Sequence, residues 1–280
     1  MGTGSYRRDY LGMSSPLVKG EAFLVTLSAL ATLLICFIVI PIAALFLMID
    51  PSTMTEVFGG NPMLASQARS AFIVTFKASS LSTAILLILG IPLAYILARY
   101  EFPGKSIVES IVDLPLMIPH IVAGVMILMA FGKRGVIASL TGVAPEIEDT
   151  FWGVVLAMAF VSIPLAVDTV KVAFQSIDPM LEYVARTLGA SRFRAFTTIT
   201  LPLALKGIIA GAILAWARGL SEVGAILVVA YYPKTVNVLI LEWLNVYGLR
   251  YAIALAVPFV LLTLALFTAL RILQRMVSKK

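Results

Sequence analysis

The chain has 280 residues, of which 60% are hydrophobic and only 13% are charged. Soluble domains usually carry about 25% charged residues, so this composition excludes an ordinary soluble protein and indicates an integral membrane protein. The single cysteine, Cys36, lies in an apolar run, which excludes a disulfide within the chain and a cysteine-based metal cluster.

Six apolar segments are long enough to cross a membrane as helices, because a hydrocarbon core of about 30 Å requires about 20 helical residues. The first is much longer than the core of a signal peptide, so we expect an uncleaved span. We find no internal repeat and predict an all-α integral membrane protein with a single transmembrane domain over residues 1–280. The segments lie near 23–49, 70–98, 107–131, 151–174, 207–231 and 251–272.

The positions of lysine and arginine predict the orientation of these spans, since basic residues are retained on the cytoplasmic side. With the N-terminus inside, the inner segments hold fourteen basic residues and the outer loops hold five. We therefore predict cytoplasmic N- and C-termini, a cytoplasmic loop at 175–206, and no nucleic-acid partner for the net charge of +6. The inner residues are Arg7, Arg8, Lys19, Arg99, Lys105, Lys171, Arg186, Arg192, Arg194, Lys206, Arg271, Arg275, Lys279 and Lys280. The outer residues are Arg69, Lys133, Arg134, Lys234 and Arg250.

The 175–206 segment is a polar, basic interruption between two apolar segments, and its residues 178–202 read DPMLEYVARTLGASRFRAFTTITLP. Asp178 can cap a helix whose first residue is Pro179, where a missing amide hydrogen costs nothing. Gly189 can end this helix with a positive φ, and Ser191 can begin a second one. The pattern predicts two short helices joined by a glycine turn.

Residues that carry enzyme chemistry are missing from the sequence. Gly104-Lys105-Ser106 looks like the end of a phosphate-binding P-loop, but Arg99 stands where that pattern requires its first glycine. If ATP drives this protein, another subunit must therefore hydrolyse it. The single histidine, His120, cannot build a usual zinc site without a cysteine cluster. We predict neither catalytic residues nor a bound metal or cofactor.

Arg218 and Glu222 lie four residues apart in the fifth apolar segment, so they can pair on one face of a helix. Charges near the middle of a membrane are costly and usually face a protein interior or a cavity. Two interpretations stay open. The pair neutralises itself and locks helix packing, or it borders a translocation path or its gate together with Ser221 and His120. For His120, a local packing or hydrogen-bonding role is the alternative.

Small residues recur every four positions in the same segment, which predicts the close approach of another helix, either in the core or at a dimer seam. These residues are Gly207, Gly211, Ala215 and Gly219.

The stretch between Tyr231 and Arg250 forms the last outer loop and is apolar, with Trp243 and Tyr247 at helical spacing. Aromatic side chains favour the membrane–water boundary, so we expect an interfacial position for this stretch. The alternatives are a segment that dips back toward the path, or one that meets an external partner.

The 175–206 segment resembles the EAA loop of ABC importer permeases. Gly189 is followed, after nine residues, by Ile199-Thr200-Leu201-Pro202, which is similar to the glycine and the I-x-L-P end of that loop. The Glu-Ala-Ala part of the motif falls on Tyr183-Val184-Ala185, with Glu182 one position earlier and about 100° away around the helix. Other stretches resemble the molybdate and tungstate branch of these permeases, namely residues 90–106, 113–124, 182–196, 216–235 and 239–250.

The resemblance implies a type I ABC importer permease in the plasma membrane of a prokaryote, with a five-helix core and a first helix that wraps the partner permease. It implies a lipid-embedded complex of two permease copies, two ATPase subunits and an external oxyanion-binding protein. The loop would dock into the ATPase, and alternating access would follow the closing and separation of the ATPases. The loop residues to which the resemblance assigns this coupling are Glu182, Tyr183, Ala185, Arg186, Gly189, Ala190, Ile199, Leu201 and Pro202.

Three alternatives stay open at this point. Permeases for sulfate, thiosulfate or another anion are broadly similar, and sulfate permeases often carry Gly-Glu-Phe-Gly where this chain has Ser221-Glu222-Val223-Gly224. An ATP-independent, ion-coupled transporter would need membrane carboxylates that take up protons, and Glu222 is the only candidate in the middle of a span. A membrane-embedded enzyme would need clustered acids, histidines or cysteines, which the sequence does not offer.

Overall fold

The structure is a computed structural model that describes residues 22–277. Contacts divide the chain into two units, Met1–Ile49 and Asp50–Lys280. From the first unit the structure describes one apolar helix, α1, which covers Ala22–Leu47. The cytoplasmic position of the termini and the single domain stay predictions. The chain termini lie outside the described residues, as do five basic residues of the orientation argument, Arg7, Arg8, Lys19, Lys279 and Lys280.

The regular structure of residues 22–277 is entirely helical, which confirms the predicted all-α membrane fold. Helix α2 covers Pro51–Thr55 and runs into a π-helical turn at Glu56–Gly60, which precedes α3, Pro62–Arg99. The next helices are α4, Lys105–Met117; α5, His120–Phe131; α6, Val136–Thr141; α7, Phe151–Gln175; and α8, Met180–Thr187. The remaining helices are α9, Arg192–Ala195, with a π-helical turn at Phe196–Thr200; α10, Leu201–Leu220; α11, Gly224–Val229; α12, Val236–Val246; and α13, Leu249–Val277.

Within the described residues, six helical segments are long and apolar enough to cross a membrane, as the sequence predicts. Their bounds differ from the expected ones chiefly in the third and fifth spans. The segments are Leu24–Leu47, Pro62–Arg99, His120–Thr141, Phe151–Gln175, Arg192–Leu220 and Leu249–Gln274.

Helices α3, α7 and α10 pack against one another and form the centre of the second unit. A Cβ atom added to Gly207 of α10 would lie 2.1 Å from Cβ of Ala173 in α7, so these two helices touch almost backbone to backbone. At the other end of α10 the approach is looser, since a Cβ atom added to Gly219 would lie 3.5 Å from Cβ of Met158 in α7, an ordinary contact distance. The small-residue repeat therefore serves the packing of α10 on α7 within the chain.

The segment expected at 107–131 is two helices instead of one. Helix α4 ends at Met117 and α5 begins at His120, because Pro119 cannot continue the backbone hydrogen bonds of a helix. Ile118, directly before the proline, adopts an extended conformation with φ −83° and ψ 133°. Pro119 therefore breaks the predicted helix into two.

The segment expected at 207–231 is also interrupted. Helix α10 ends at Leu220, and three residues, 221–223, separate it from the short helix α11. The helix starts earlier than expected, because α9 and the π-helical turn continue directly into α10. The break falls at the polar pair Ser221-Glu222, whose side chains bind backbone groups that a continuous helix would have used.

Helix α12 lies in the core of the second unit, so the interfacial position expected for Trp243 is wrong. Trp243 is fully buried among apolar side chains of α3 and α13, including Leu64 and Leu255. Its indole Nε1 donates a 3.4 Å hydrogen bond to Oε1 of Gln67. Tyr247, one turn further on, stays exposed.

Candidate functional site

Four polar side chains meet at the break between α4 and α5 and the break between α10 and α11. Nδ1 of His120, at the start of α5, lies 2.6 Å from Oε2 of Glu222. Nη2 of Arg218 lies 3.2 Å from the same oxygen and 2.8 Å from Nδ1 of His120. Nη1 of Arg218 lies 3.2 Å from Oγ of Ser221. The structure thus brings together all four residues that the sequence indicates for a path or gate, and we call them the break cluster.

Glu222 serves the break cluster and the backbone at the same time. Its side chain is 1% exposed, and Oε1 accepts a 2.8 Å hydrogen bond from the amide of Ala225 in the first turn of α11. Oε2 faces His120 and Arg218. A buried carboxylate depends on such donors, because a buried charge without partners is strongly destabilising. Glu222 therefore both accepts a free amide of α11 and is the counter-charge of Arg218.

The pairing of Arg218 with Glu222 is confirmed, but the shared helix face is wrong. Arg218 lies in the last turn of α10, whereas Glu222 lies in the break beyond the end of that helix. The carboxylate reaches back to the guanidinium because the chain turns at Ser221, whose Oγ donates to the carbonyl of Arg218 at 2.9 Å.

The side chain of Asn237 binds the free carbonyl groups at the end of α10, a role that the sequence prediction did not include. This residue lies in α12, and its Nδ2 donates hydrogen bonds to the carbonyl oxygens of Leu220 at 2.6 Å and of Glu222 at 3.3 Å. Carbonyls freed by a helix break inside a membrane require such partners. The available signal was one amide side chain in the otherwise apolar run that begins α12.

Two glycines let the half-helices α5 and α11 approach closely. A Cβ atom on Gly224 would lie 2.7 Å from Cβ of His120, and one on Gly124 would lie 2.7 Å from Cβ of Val228. Any larger residue at these positions would push the two helices apart. Close contact of α5 with α11 is therefore a condition for the short distances in the break cluster.

The break cluster is closed on one side and open on the other. Glu222 is enclosed, whereas the side chains of Arg218 and His120 keep 19% and 44% of their surface exposed. The charge of Arg218 is balanced by Glu222, and His120 adds a positive charge only when it is protonated. The arrangement joins the two breaks and also presents a partly neutralised cation on its open side.

The first half of the 175–206 segment folds as the sequence predicts, except that α8 begins at Met180 and Pro179 is its N-cap. Oδ1 of Asp178 accepts a 2.9 Å hydrogen bond from the amide of Met180 at the start of α8. Gly189 has φ +91° and ends this helix. The amides of Gly189 and Ala190 donate to the carbonyls of Arg186 and Ala185, each at 3.0 Å. These two bonds form a Schellman motif, which requires a positive φ at its glycine.

The second half of the segment continues into the fifth span without a break in the helix. Ser191 caps α9, and the π-helical turn connects α9 to α10. Pro202 has no amide hydrogen for the fourth carbonyl before it, and the widened turn lies directly before this proline. Ile199 is half-buried in the turn, and Leu201 packs against the core cluster that contains Ala204 and Ile208.

Glu182 is directed toward α3. Its Oε2 accepts a 2.7 Å hydrogen bond from the hydroxyl of Tyr95, and its Oε1 accepts one of 3.1 Å from Nε of Arg99. The side chains of Arg99 and Glu182 are only 8% and 15% exposed. Tyr95 was not among the predicted site residues, and Arg99 was counted only as an inner basic residue that predicts the orientation of the spans. Their four-residue spacing at the end of a span was the available signal, because it places both on one helix face.

Helix α8 exposes apolar and basic side chains on different faces. Leu181, Val184 and Leu188 recur at helical spacing and are exposed, and Tyr183, at the motif position discussed above, is exposed as well. A cleft of about 400 Å³ beside α8 is bordered by the exposed Arg186 and other side chains. Exposed leucine and valine residues on a polar loop are typical of a protein-binding surface. The residues around the cleft are Tyr95, Ala98, Arg99, Tyr100, Pro179, Glu182, Tyr183, Arg186 and Arg192.

A further charged group joins α4 to α7. Nζ of Lys171 lies 3.0 Å from Oδ1 of Asp168 in the same helix and 3.4 Å from Oε1 of Glu109 in α4. These bonds tie two packed helices together. Between residues 22 and 277, no three His, Cys, Asp or Glu side chains are arranged to hold a metal ion.

Comparison with known proteins places this architecture in one class. Residues 90–280 match the family described as the inner membrane component of binding-protein-dependent transport systems. The molybdate/tungstate transport system permease protein of Thermococcus kodakarensis is 45% identical over 249 residues, which is 87% of this chain and 93% of the relative. The molybdenum transport system permease protein of Escherichia coli K12 is 45% identical over 157 residues, 55% of this chain and 69% of the relative.

A solved structure agrees with the fold. The structure of a bacterial ABC transporter involved in the import of alginate aligns with a TM-score of 0.69 at 20% identity, over 91% of this chain and 96% of that one. At this identity the similarity concerns the fold alone.

The chain therefore belongs to the family of inner membrane components of binding-protein-dependent transport systems. It is a multi-pass protein of the plasma membrane with the fold of type I ABC importer permeases. It is a transporter subunit and not an enzyme, so ATP hydrolysis belongs to a partner subunit.

The buried position of Glu222 generates a stability prediction. Replacement of Glu222 by Ala removes the acceptor for the Ala225 amide and leaves Arg218 without a counter-charge, so the free energy of unfolding should fall by about 3–5 kcal/mol. Glu222→Gln should cost less, because its amide oxygen still accepts the hydrogen bond of the Ala225 amide. Denaturant unfolding of the purified protein in detergent measures both. Glu101→Ala, at a side chain 88% exposed, is the control and should change little. Equal losses for the two Glu222 variants would contradict the role of Glu222 as the acceptor for this amide.

Proposed function

We propose that this chain is the permease subunit of an ATP-driven importer for molybdate or tungstate, and that two copies form the membrane part of the complex. The proposal is supported by the 45% identity to the Thermococcus kodakarensis permease, which covers 87% of this chain. One structural observation gives the proposal its strongest support. The two helix breaks bring Arg218 together with His120 and Glu222 and leave the Arg218 side chain partly accessible.

Arg218 supplies a contact for a passing oxyanion along this path. A bare guanidinium in a low-dielectric site would hold an anion tightly and slow its release, whereas conduction needs binding that is weak enough to be reversed. Glu222 lowers the net charge of the site, and His120 and Ser221 add neutral or cationic hydrogen-bond donors. The break cluster thus favours an anion over a cation without a deep trap.

The 175–206 segment is the surface through which the ATPase acts. It exposes Leu181, Val184 and Leu188 on one face of α8 and Arg186 on another, and without a partner this short helix would leave three apolar side chains in water. The orientation from basic residues puts the segment and both chain termini in the cytoplasm, where the ATPase would meet it. An external binding protein would deliver the oxyanion on the opposite side.

Transport itself tests this function. The purified permease, reconstituted in liposomes with its ATPase and binding protein, should take up molybdate or tungstate only when ATP reaches the ATPase. The permease alone should take up none, because the chain offers no nucleotide site. Uptake by the permease alone, without ATPase or ATP, would contradict the proposal and support an ion-coupled transporter. Uptake of sulfate in place of molybdate and tungstate would retain the permease and change its substrate.

Gly189 tests the coupling surface. A β-branched residue cannot adopt φ +91° without strain, so Gly189→Val should cost about 1–2 kcal/mol in the turn after α8 and abolish ATP-driven uptake with the membrane fold retained. The Cβ atom would meet no atom within 4 Å, so the effect is one of conformation and not of packing. Gly189→Asn is the matched control, since asparagine tolerates a left-handed conformation, and it should transport. Full uptake by the valine variant would contradict the coupling role of the segment.

A further inference from the structure

Three side chains join the coupling helix α8 to the end of the second span. Tyr95 and Arg99 lie one turn apart on α3, and both bind the carboxylate of Glu182, at 2.7 and 3.1 Å. Each carboxylate oxygen therefore has its own donor. We call Tyr95, Arg99 and Glu182 the Glu182 relay.

Arg99 connects a third element to the relay. Its Nη1 donates a 2.9 Å hydrogen bond to the carbonyl of Ile177, in the turn that leaves α7. One guanidinium thus holds the ends of α3 and α7 and the coupling helix together. The Lys105–Glu101 pair near the same end of α3 differs, because its carboxylate is 88% exposed and binds only a neighbour within the same turn.

Tyr95 extends the relay into the fifth span. Its ring packs edge-on against Phe196 of the π-helical turn, with ring centroids 4.7 Å apart, and against Phe174 of α7 at 5.5 Å. The hydroxyl at the other end of the same ring binds Glu182. A displacement of α8 therefore meets side chains that are packed on both α7 and the start of α10.

The relay is a costly way to gain stability alone. Burial of an ion pair removes hydration from both charges, and apolar side chains of similar size often stabilise a protein as well or better. Nη2 of Arg99 is moreover buried without a hydrogen-bond partner. The geometry fits a rigid mechanical link better than a purely stabilising contact.

We propose that the Glu182 relay transmits movement of α8 to α3 and α7, and that Glu182 positions the coupling helix and does not bind the ATPase. Tyr183, which stands at the position of the motif glutamate, is exposed and borders the cleft beside α8, where a partner can reach it. This inference rests on the proposed coupling of the 175–206 segment to an ATPase.

The test compares uptake with ATP hydrolysis in the reconstituted complex. Glu182→Gln and Tyr95→Phe each remove one bond of the relay at nearly constant size. Each should lower the oxyanion taken up per ATP hydrolysed by about tenfold, which is the typical effect of one lost charge-assisted hydrogen bond. The double variant should be no worse than the stronger single one, because both changes break the same link. The ATPase should co-purify with each variant as it does with the unaltered chain.

Glu101→Gln is the matched control, since it makes the same chemical change at an exposed carboxylate near the same end of α3, and its ratio should stay unchanged. An unaltered ratio in both relay variants would overturn the inference. So would loss of the ATPase from the Glu182→Gln complex with a normal ratio in what remains, because Glu182 would then be a partner contact. A failure of the proposed function is distinguishable, since the unaltered complex itself would then show uptake that does not depend on the ATPase.

Discussion

The buried carboxylate of Glu222 is the contact on which the centre of this protein depends. A membrane supplies no water for free backbone groups, so a span can be interrupted only where other groups replace the lost hydrogen bonds. Glu222 accepts a hydrogen bond from the Ala225 amide at the start of α11, and Asn237 donates one to the carbonyl of Leu220 at the end of α10. The same carboxylate balances Arg218 and contacts His120, at the break in the third span. One residue therefore stabilises both helix breaks and the charge of Arg218 that lies between them.

Two carboxylates join separate helices in different parts of the second unit. Glu222 joins the third and fifth spans at their breaks, whereas Glu182 joins α8 to the end of α3. Between them lies the packed core of α3, α7 and α10, in which Gly207 brings α10 against Ala173 of α7. Rigid helices that share such a core can carry a displacement from one contact toward the other. This arrangement supports a transporter in which a partner drives the coupling helix and the break cluster responds.

Much of the fold could be predicted from the sequence, because a membrane span is a long apolar run. The number of apolar runs that are long enough to cross the membrane gives the number of spans. The glycine turn at Gly189 was predictable for a similar reason, since few residues other than glycine adopt its φ. The grouping of His120, Ser221, Arg218 and Glu222 could be suspected, because each is a polar group in an apolar setting. What could not be derived was that Glu222 lies outside α10, since hydropathy does not distinguish a continuous span from a broken one.

The contacts that escaped prediction are those between distant parts of the chain. Glu182 pairs with Tyr95 and Arg99, more than eighty residues earlier, and periodicity within one helix carries no information about such partners. Trp243 was misassigned because an aromatic residue in a loop is typical of the membrane boundary, whereas here α12 is covered by α3 and α13. Tertiary packing overrode the local preference in each case.

If the break cluster borders a water-filled transport path, a thiol placed in it should be accessible to water, and thiol labelling measures this most directly. The single cysteine can be replaced by Cys36→Ser, and Ser221→Cys then puts one thiol on the open side of the cluster. In the assembled complex, this thiol should react with a membrane-impermeant maleimide, and the side from which it reacts should change between the nucleotide-free and the ATP-bound state. Ile226→Cys, at a fully buried position in α11, should stay unreactive. A Ser221→Cys thiol that is unreactive in both states would contradict the account, because the cluster would then be enclosed packing and not part of a path.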